Sequence, residues 1–259
     1  MTRLAASDLT VRRGGRAILD GVSCAFDAGD FVAVIGANGA GKSTLLMALA
    51  GLLTPDAGIV ALDDRPLKDY GGREMARRRA YLPQNPRCEW PISVERLVAL
   101  GLTPALPAFG ELTPSLAEQV GRAIAACDLQ QHRGQAATTL SGGELGRAML
   151  ARALVGDPDV LIVDEPFAGL DPRHALDGAL RLQALAKDGK LVIASIHDLT
   201  LAARFSNRIL ALHDGRAVAD GPTLETLTPE LLRAVFQIEA RLVGAGDATF
   251  VDFLASPPV

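Results

Sequence analysis

A chain of 259 residues, 49% apolar and 22% charged, has the length and composition of a folded protein with a buried core rather than of a disordered one. Its net charge of -4 gives no general attraction to nucleic acid or to an anionic membrane surface, so we expect no nucleic-acid partner. Cys24, Cys88 and Cys127 stand singly, without the spacing of a metal site, which favours buried, reduced thiols over disulfides.

Neither the amino-terminal residues nor the longest apolar run has the features of a membrane segment. The opening MTRLAASDLT lacks the apolar core of a secretory signal. The run LLMALAGLL, residues 45–53, is too short to cross a bilayer. We therefore expect a chain that reaches a membrane only through a partner.

Short apolar strands alternate with helical segments along much of the chain. The first thirty residues alternate in strand-like runs separated by RGG and DAGD, as in a small antiparallel sheet. Continuous apolar runs at 31–36, 160–165 and 191–198 predict buried parallel strands. Helical composition follows at 43–50 and at 173–187. This alternation predicts a parallel α/β sheet.

The middle and the end of the chain have a different composition. Residues 86–155 are mostly helix-like, with a proline- and glycine-rich break at 102–115. A helical block inserted between strands of an α/β core predicts a subdomain with its own role. From residue 223 onwards the sequence predicts a short helix followed by an irregular tail.

The stretch VIGANGAGKST satisfies the phosphate-binding pattern G-x-x-x-x-G-K-[ST]. Glycines let successive backbone N–H groups point at one anion, and the following helix adds its positive dipole end. Lys42 can reach the β- and γ-phosphates, and the Ser43 hydroxyl can bind Mg²⁺. An ordinary glycine turn beside a surface lysine is disfavoured, because the pattern lies between a predicted strand and a helix. The predicted nucleotide-binding residues are Gly36, Asn38, Gly39, Gly41, Lys42, Ser43 and Thr44.

The stretch VLIVDEP provides a second candidate for the same site. Asp164 ends a predicted buried strand and can hold Mg²⁺ through water, while Glu165 can polarise an attacking water. Taken alone, this stretch fits a charged turn after a core strand equally well. Because the chain also has a phosphate loop, a catalytic role for the two acids is favoured.

The stretch LSGGE, residues 140–144, separates this chain from other phosphate-loop proteins, because its serine and glycines predict a second helix start directed at phosphate. Three more short motifs accompany it: YLPQ at 81–84, GLD at 169–171 and IHD at 196–198. The order and spacing of all six motifs resemble those of the ATP-binding subunit of ABC transporters. The resemblance runs from about Leu9 to the last predicted helix.

The resemblance implies an α/β fold: a RecA-like P-loop NTPase core with an N-terminal antiparallel β subdomain and an inserted α-helical subdomain. Residues 1–259 would form a single ABC ATPase domain. Residues 1–85 and 156–222 would form the nucleotide-binding core, 86–155 the helical subdomain and 223–259 a C-terminal extension.

The same resemblance implies ATP and Mg²⁺ as cofactors and assigns further site residues. Gln84 would sense Mg²⁺ and the attacking water, and His197 would bond the γ-phosphate beside the catalytic Glu165. Magnesium would be held by Ser43, Gln84 and Asp164. The residues that would meet ATP across a pair of chains are Ser141, Gly142, Gly143 and Asp171. His132, His174 and His213 receive no role.

The sequence departs from the family pattern at several positions. Arg13 stands where an aromatic residue usually stacks on adenine, and its guanidinium can either stack or point to solvent. Gly146 replaces the usual glutamine before Arg147, and Gly169 replaces commoner residues before Leu170.

The resemblance also implies partners: a second copy of the chain, an integral-membrane permease and, indirectly, a cargo-binding protein, at the cytoplasmic face of the inner membrane. Four stretches resemble the ATPases of importers for iron–siderophore, haem and cobalamin: VERLVALGLTP, GLDPRHAL, the segment from SIHDLT to VADG, and LTPELLRAVFQIEA. In the first of them, Leu102 stands where that group has arginine. Haem or siderophore import is therefore the leading expectation.

Three alternatives stay open to different degrees. Importers of cobalamin, zinc or manganese share most of these features, since nothing in the sequence contacts the cargo. A soluble ABC ATPase of iron–sulfur cluster assembly would have a similar length. A regulatory nucleotide binder without activity is disfavoured, because Lys42, Asp164, Glu165 and His197 are all present.

Overall fold

A computed structural model describes residues 2–106, 112–244 and 246–255. Residues 107–111 of the predicted break and residues 256–259 of the predicted tail lie outside the described residues. Among the helices of the described ranges, none combines the length and the apolar character needed to cross a membrane.

The strands of the described residues are β1 (Arg3–Arg13), β2 (Arg16–Asp27), β3 (Phe31–Ile35), β4 (Ala57–Leu62), β5 (Arg65–Pro66), β6 (Arg79–Leu82), β7 (Val160–Asp164), β8 (Leu191–Ser195), β9 (Arg208–His213), β10 (Arg216–Pro222), β11 (Glu239–Val243) and β12 (Phe250–Ala255).

The α-helices of the same ranges are α1 (Lys42–Leu49), α2 (Gly72–Arg78), α3 (Val94–Ala99), α4 (Pro114–Ala126), α5 (Gly142–Leu154), α6 (Pro172–Lys187), α7 (Leu199–Phe205), α8 (Thr223–Thr226) and α9 (Pro229–Phe236).

The chain divides into two compact units. The first consists of Met1–Asp69 together with Val163–Val259, and the second is Tyr70–Ile162. The predicted helical subdomain, 86–155, lies inside the second unit.

An antiparallel sheet in the first unit has the strand order β2-β1-β4-β5. The long strands β1 and β2 pair along their whole length, from Arg3 opposite Asp27 to Arg13 opposite Arg16. Apolar side chains on one face, such as Leu4, are buried, as the strand alternation predicts. The predicted N-terminal antiparallel sheet is therefore confirmed.

The core of the first unit is a sheet in which β3 lies between β8 and β9 and is parallel to both. β10 continues it beside β9 in the antiparallel direction. Every residue of β3 and β8 is buried, which explains their uninterrupted apolar character. The carboxyl ends of β3 and β8 lie side by side, with Val34 opposite Ser195. This arrangement confirms the predicted α/β fold class and brings the loops after β3 and β8 to one edge.

The second unit is mainly helical, as predicted. Thr113 caps α4 by accepting the N–H of Leu116, and a stripe that includes Val120 and Ile124 is buried. Gly101 lies against α5, where an added Cβ would come within 2.0 Å of the Arg152 carbonyl oxygen. Helices α3, α4 and α5 therefore pack closely on one another.

The end of the chain corrects the sequence analysis. After α8 and α9 the predicted irregular tail instead contains an antiparallel hairpin of β11 and β12. The hairpin packs on α7: Val251 is buried, and its N–H donates to the Thr200 hydroxyl at 3.2 Å. An ion pair between Arg241 and Asp252 joins the two strands. Tertiary contacts with α7 stabilise strands whose local sequence pattern is weak.

Candidate functional site

The phosphate loop connects β3 to α1 in the first unit, and its glycines are required by its shape. Gly36 has φ of +153° and an added Cβ would lie 2.4 Å from the Leu212 carbonyl oxygen. Gly41, at the start of α1, has φ of +102°, and its Cβ would lie 2.8 Å from the Ile18 carbonyl oxygen. A side chain at either position would therefore clash with main chain.

Lys42 begins α1 and is only 6% exposed. Its ammonium donates to the carbonyl oxygens of Gly36 at 2.8 Å and Ala37 at 3.1 Å. Burial lowers the pKa of Lys42, while the negative charges of Glu165 and Asp164 act in the opposite direction. The ammonium is thus held by carbonyl oxygens of the loop and attracted by two nearby carboxylates.

The other predicted residues of the loop differ in exposure. Asn38 and Gly39 are exposed at its tip. Ser43 is half-buried, and Thr44 is buried within α1.

Asp164 is the last residue of β7 and is 4% exposed. The Ser195 hydroxyl, at the end of β8, donates to Asp164 Oδ1 at 2.6 Å. A buried carboxylate is costly unless it is hydrogen-bonded, so this contact contributes directly to keeping Asp164 in place.

Glu165 leaves the strand with φ of +49°, a left-handed conformation that is uncommon outside glycine. Its N–H donates to the Ser195 hydroxyl at 2.8 Å. Its Oε1 lies 2.6 Å from Nε2 of His197, which follows β8. The structure therefore brings Asp164, Glu165 and His197 together, with Ser195 contacting two of them.

Asp171 is the N-cap of α6 in the first unit. It accepts the N–H of His174 at 3.0 Å, and this bond is the main cause that lowers the pKa of Asp171, helped by the His174 ring. Gly169, just before it, has φ of +71°. The left-handed backbone gives a physical reason for glycine at this departure from the family pattern.

Arg13 is exposed at the end of β1, where it pairs with Arg16 across the turn to β2. Further along β2, the carbonyl of Ile18 packs against Gly41 of the phosphate loop. Arg13 thus lies on a hairpin whose second strand contacts the loop, and stacking on adenine stays a prediction.

Gln84 and the LSGGE residues belong to the second unit. Gln84 is exposed and follows β6 by two residues. Ser141 is the N-cap of α5, with Gly142 and Gly143 in its first turn, which confirms the predicted helix start.

Ser141 and Glu144 form a reciprocal capping box at this helix start. The N–H and the hydroxyl of Ser141 both donate to Glu144 Oε2 at 2.8 Å, and these bonds hold the pKa of Glu144 below its usual value. His132 lies with Nε2 3.4 Å from Glu144 Oε1 and Nδ1 2.8 Å from Gln135 Oε1. His132 had no predicted role, and in the structure it contacts Glu144 of the LSGGE stretch.

Two further positions that depart from the family pattern, Leu102 and Gly146, lie in the second unit. Leu102 is buried and contributes to the core, at a position where the ATPases of iron–siderophore, haem and cobalamin importers have arginine. An added Cβ at Gly146 would meet nothing within 4 Å, so close packing does not require glycine there.

Ser195 was missed in the sequence analysis. Its signal is a hydroxyl at the end of the apolar run LVIAS, two residues before His197. A polar residue in a buried strand needs partners, but the sequence does not show which groups lie opposite it.

Comparison with known proteins agrees with this geometry. A family model described as ABC transporter matches residues 19–168. The hemin import ATP-binding protein HmuV of Nocardia farcinica is 45% identical over 234 residues, covering 87% of this chain and 79% of the relative. The protein of the same name from Rhodopseudomonas palustris is 41% identical over 247 residues, 92% of each chain.

Solved structures share the fold. A chain of an ABC transporter in an inward-facing conformation has a TM-score of 0.84 with 98% of each chain covered, at 23% identity. An ATP-binding subunit of an ABC transporter is 28% identical, with a TM-score of 0.75 over 94% of this chain and 95% of that one. The chain therefore belongs to the ABC transporter family, as an ATPase.

Proposed function

We propose that this chain is the ATP-hydrolysing subunit of an importer and drives a separate membrane permease. The observation that carries the proposal is the cluster at the ends of β7 and β8. There Asp164, Glu165 and His197 are held by short hydrogen bonds in the same unit as Lys42. Asp164 and Lys42 are buried, and buried charges held in place by hydrogen bonds are typical of a catalytic site.

The phosphate loop binds the ATP phosphates. Its backbone N–H groups and the start of α1 attract anions, and the Lys42 ammonium exchanges its carbonyl partners for β- and γ-phosphate oxygens. Asn38, Gly39 and Thr44 complete the loop around the phosphates. Arg13 stacks on the adenine ring from the β1–β2 hairpin.

The residues at this site fit Mg²⁺. Ser43 and Asp164 offer hard oxygen donors, the kind this cation prefers, and the nearly complete burial of the Asp164 carboxylate favours a compensating positive charge. Ser43 and Asp164 would hold the ion, and Gln84 is proposed as a further ligand. When bound, the ion would neutralise charge on the phosphates.

Glu165 and His197 carry the chemical step. Glu165 accepts a proton from, or orients, the water that attacks the γ-phosphate. Since a carboxylate accepts hydrogen bonds, Nε2 of His197 carries the proton in the contact between them, and the imidazole fixes the direction of the Glu165 carboxylate. When ATP is bound, His197 shares this N–H between the Glu165 carboxylate and a γ-phosphate oxygen.

A second copy completes the site. Ser141, Gly142 and Gly143 of one copy contact the ATP held by the phosphate loop of the other, and Asp171 lies at the seam between them. Gly142 and Gly143 lie in the first turn of α5, where the helix N-terminus attracts the γ-phosphate. Hydrolysis releases this head-to-tail pair.

The permease docks on the second unit, around Trp90. This side chain is 69% exposed, and Pro91 beside it is exposed as well. Exposed aromatic residues are frequent anchors of protein interfaces, so Trp90 supplies apolar contact area for a membrane subunit. The ATPase then lies at the cytoplasmic face of the inner membrane through this partner.

Haem is the proposed cargo. Relatives with 45% and 41% identity over most of the chain are named hemin import ATP-binding proteins. The cargo itself contacts the permease and a cargo-binding protein rather than this chain.

The test is reconstitution of the chain with its permease and cargo-binding protein in proteoliposomes. Haem uptake and ATP hydrolysis are measured with haem, with cobalamin, with a ferric siderophore and with zinc as separate cargoes, and the Glu165→Gln variant serves as the inactive control. We expect ATP-dependent uptake of haem alone, and Trp90→Ala to co-purify less with the permease. Equal ATP hydrolysis with and without binding protein and haem would contradict coupled import.

A further inference from the structure

Ser195 is the last residue of β8 and has no solvent exposure. Its hydroxyl uses both of its hydrogen-bonding roles on the two carboxylate residues of the site. It accepts the N–H of Glu165 at 2.8 Å and donates to Asp164 Oδ1 at 2.6 Å. The direction of both hydrogen bonds is therefore fixed: the Glu165 amide donates to the Ser195 hydroxyl, which donates to the Asp164 carboxylate.

We propose that Ser195 is a positioning residue that sets Asp164 for the metal and Glu165 for the attacking water at once. The proposal rests on the proposed function, since it assigns a role within that same site. It goes beyond the family motifs, none of which includes this strand position.

The backbone conformation of Glu165 depends on its surroundings. A left-handed φ of +49° is held only where the surroundings determine it. The hydroxyl of Ser195 bonds the amide of this residue, and His197 bonds its carboxylate. Main chain and side chain of Glu165 are thus fixed by two residues at the end of one strand.

Asp164 is restrained by the same hydroxyl group. One oxygen of its carboxylate accepts the short bond from Ser195, which restrains rotation of the carboxylate plane. Groups that bond to metal-binding residues typically change metal affinity or activity by about 10- to 100-fold when they are removed. Ser195 is such a group, because its hydroxyl bonds the proposed metal-binding residue Asp164.

The test compares three variants of the full chain. Ser195→Ala removes the hydroxyl, and Ser195→Thr keeps it on a slightly larger side chain. Ser206→Ala is the matched control: Ser206 is also buried in the first unit, but its hydroxyl donates to the Ala202 carbonyl at 2.7 Å and meets Thr223. Thermal unfolding establishes how much each variant loses in stability.

Two readouts then separate positioning from general packing. For Ser195→Ala at saturating Mg²⁺ we expect kcat for ATP to fall about 10- to 100-fold with little change in KM, and the Mg²⁺ concentration for half-maximal rate to rise. Binding of a fluorescent ATP analogue should weaken at limiting Mg²⁺ but stay unchanged in EDTA. Ser195→Thr should recover most of both, and Ser206→Ala should change neither.

Wild-type kcat and wild-type Mg²⁺ dependence in Ser195→Ala would overturn the proposal. So would equal losses in Ser195→Ala and Ser206→Ala, which would indicate a structural role alone. Absence of hydrolysis by the wild type would instead contradict the proposed function, and the binding measurements in Mg²⁺ and EDTA would still decide the role of Ser195.

Discussion

Nε2 of His197 lies 2.6 Å from Oε1 of Glu165, although the two residues are 32 positions apart in the chain. The contact joins the ends of β8 and β7. The His197 imidazole therefore helps to set the direction of the Glu165 carboxylate.

Replacing Glu165 by glutamine keeps the size of the side chain and removes its negative charge. We expect ATP hydrolysis to fall about 10²- to 10⁴-fold, because the group that activates water is lost, while nucleotide binding persists. With ATP and Mg²⁺ the variant should accumulate as a dimer in light scattering. A variant that stays monomeric under these conditions would contradict closure of the site by a second copy.

Replacing His197 by alanine removes the imidazole that contacts the Glu165 carboxylate. We expect kcat to fall about 10²-fold with little change in ATP affinity, because the lost contacts act on the carboxylate and on the γ-phosphate during hydrolysis. His213→Gln is a suitable comparison, since His213 lies beside Asp214 rather than Glu165. Similar losses in both variants would argue against a specific role of His197.

Replacing Gly36 by alanine tests the shape of the phosphate loop. The added Cβ would lie 2.4 Å from the Leu212 carbonyl oxygen, so the loop must shift. We expect loss of ATP binding and a free energy of unfolding lower by about 1 to 3 kcal/mol. Gly121→Ala is the control: its Cβ meets nothing within 4 Å inside α4, so it should raise stability by up to about 1 kcal/mol. Unchanged nucleotide affinity in Gly36→Ala would refute the close approach.

The buried thiol of Cys24 predicts a loss of stability at alkaline pH. Burial, assisted by the charge of Asp220, raises the pKa of Cys24 to about 12. In the unfolded chain the thiol ionises near pH 8.5. Between these values the unfolded state binds fewer protons than the folded state, so stability falls as pH rises, by about 1.4 kcal/mol per pH unit from this group.

Urea unfolding in a reducing buffer at several pH values between 8 and 10 measures this slope. Cys24→Ala should show a shallower decline than the wild type, whatever its stability at pH 8. Parallel slopes for the two proteins would mean that Cys24 ionises equally in both states.

Local patterns were sufficient to predict the elements that carry the site. The apolar run before the phosphate loop, the helix after it and the strand that ends at Asp164 agree with the structure within a residue or two. These segments combine continuous burial with glycine signals, which act over short distances in sequence.

The parts that sequence analysis missed depend on distant partners. The β11–β12 hairpin is stabilised by α7, which local alternation does not reveal. Ser195 bonds residues about thirty positions away, so its residue type indicated a need for partners without identifying them. His132 likewise lies against Glu144 only in the folded second unit.

The left-handed backbone at Glu165 has a consequence for which substitutions can be tolerated. Consecutive residues of a regular strand project to opposite faces, and the turn at Glu165 instead lets two adjacent acids meet the same neighbouring strand. The main-chain conformation of Glu165 thus brings the two carboxylates together. A nearby substitution that returns Glu165 to an extended conformation would separate the carboxylates of Asp164 and Glu165, even with both acids retained.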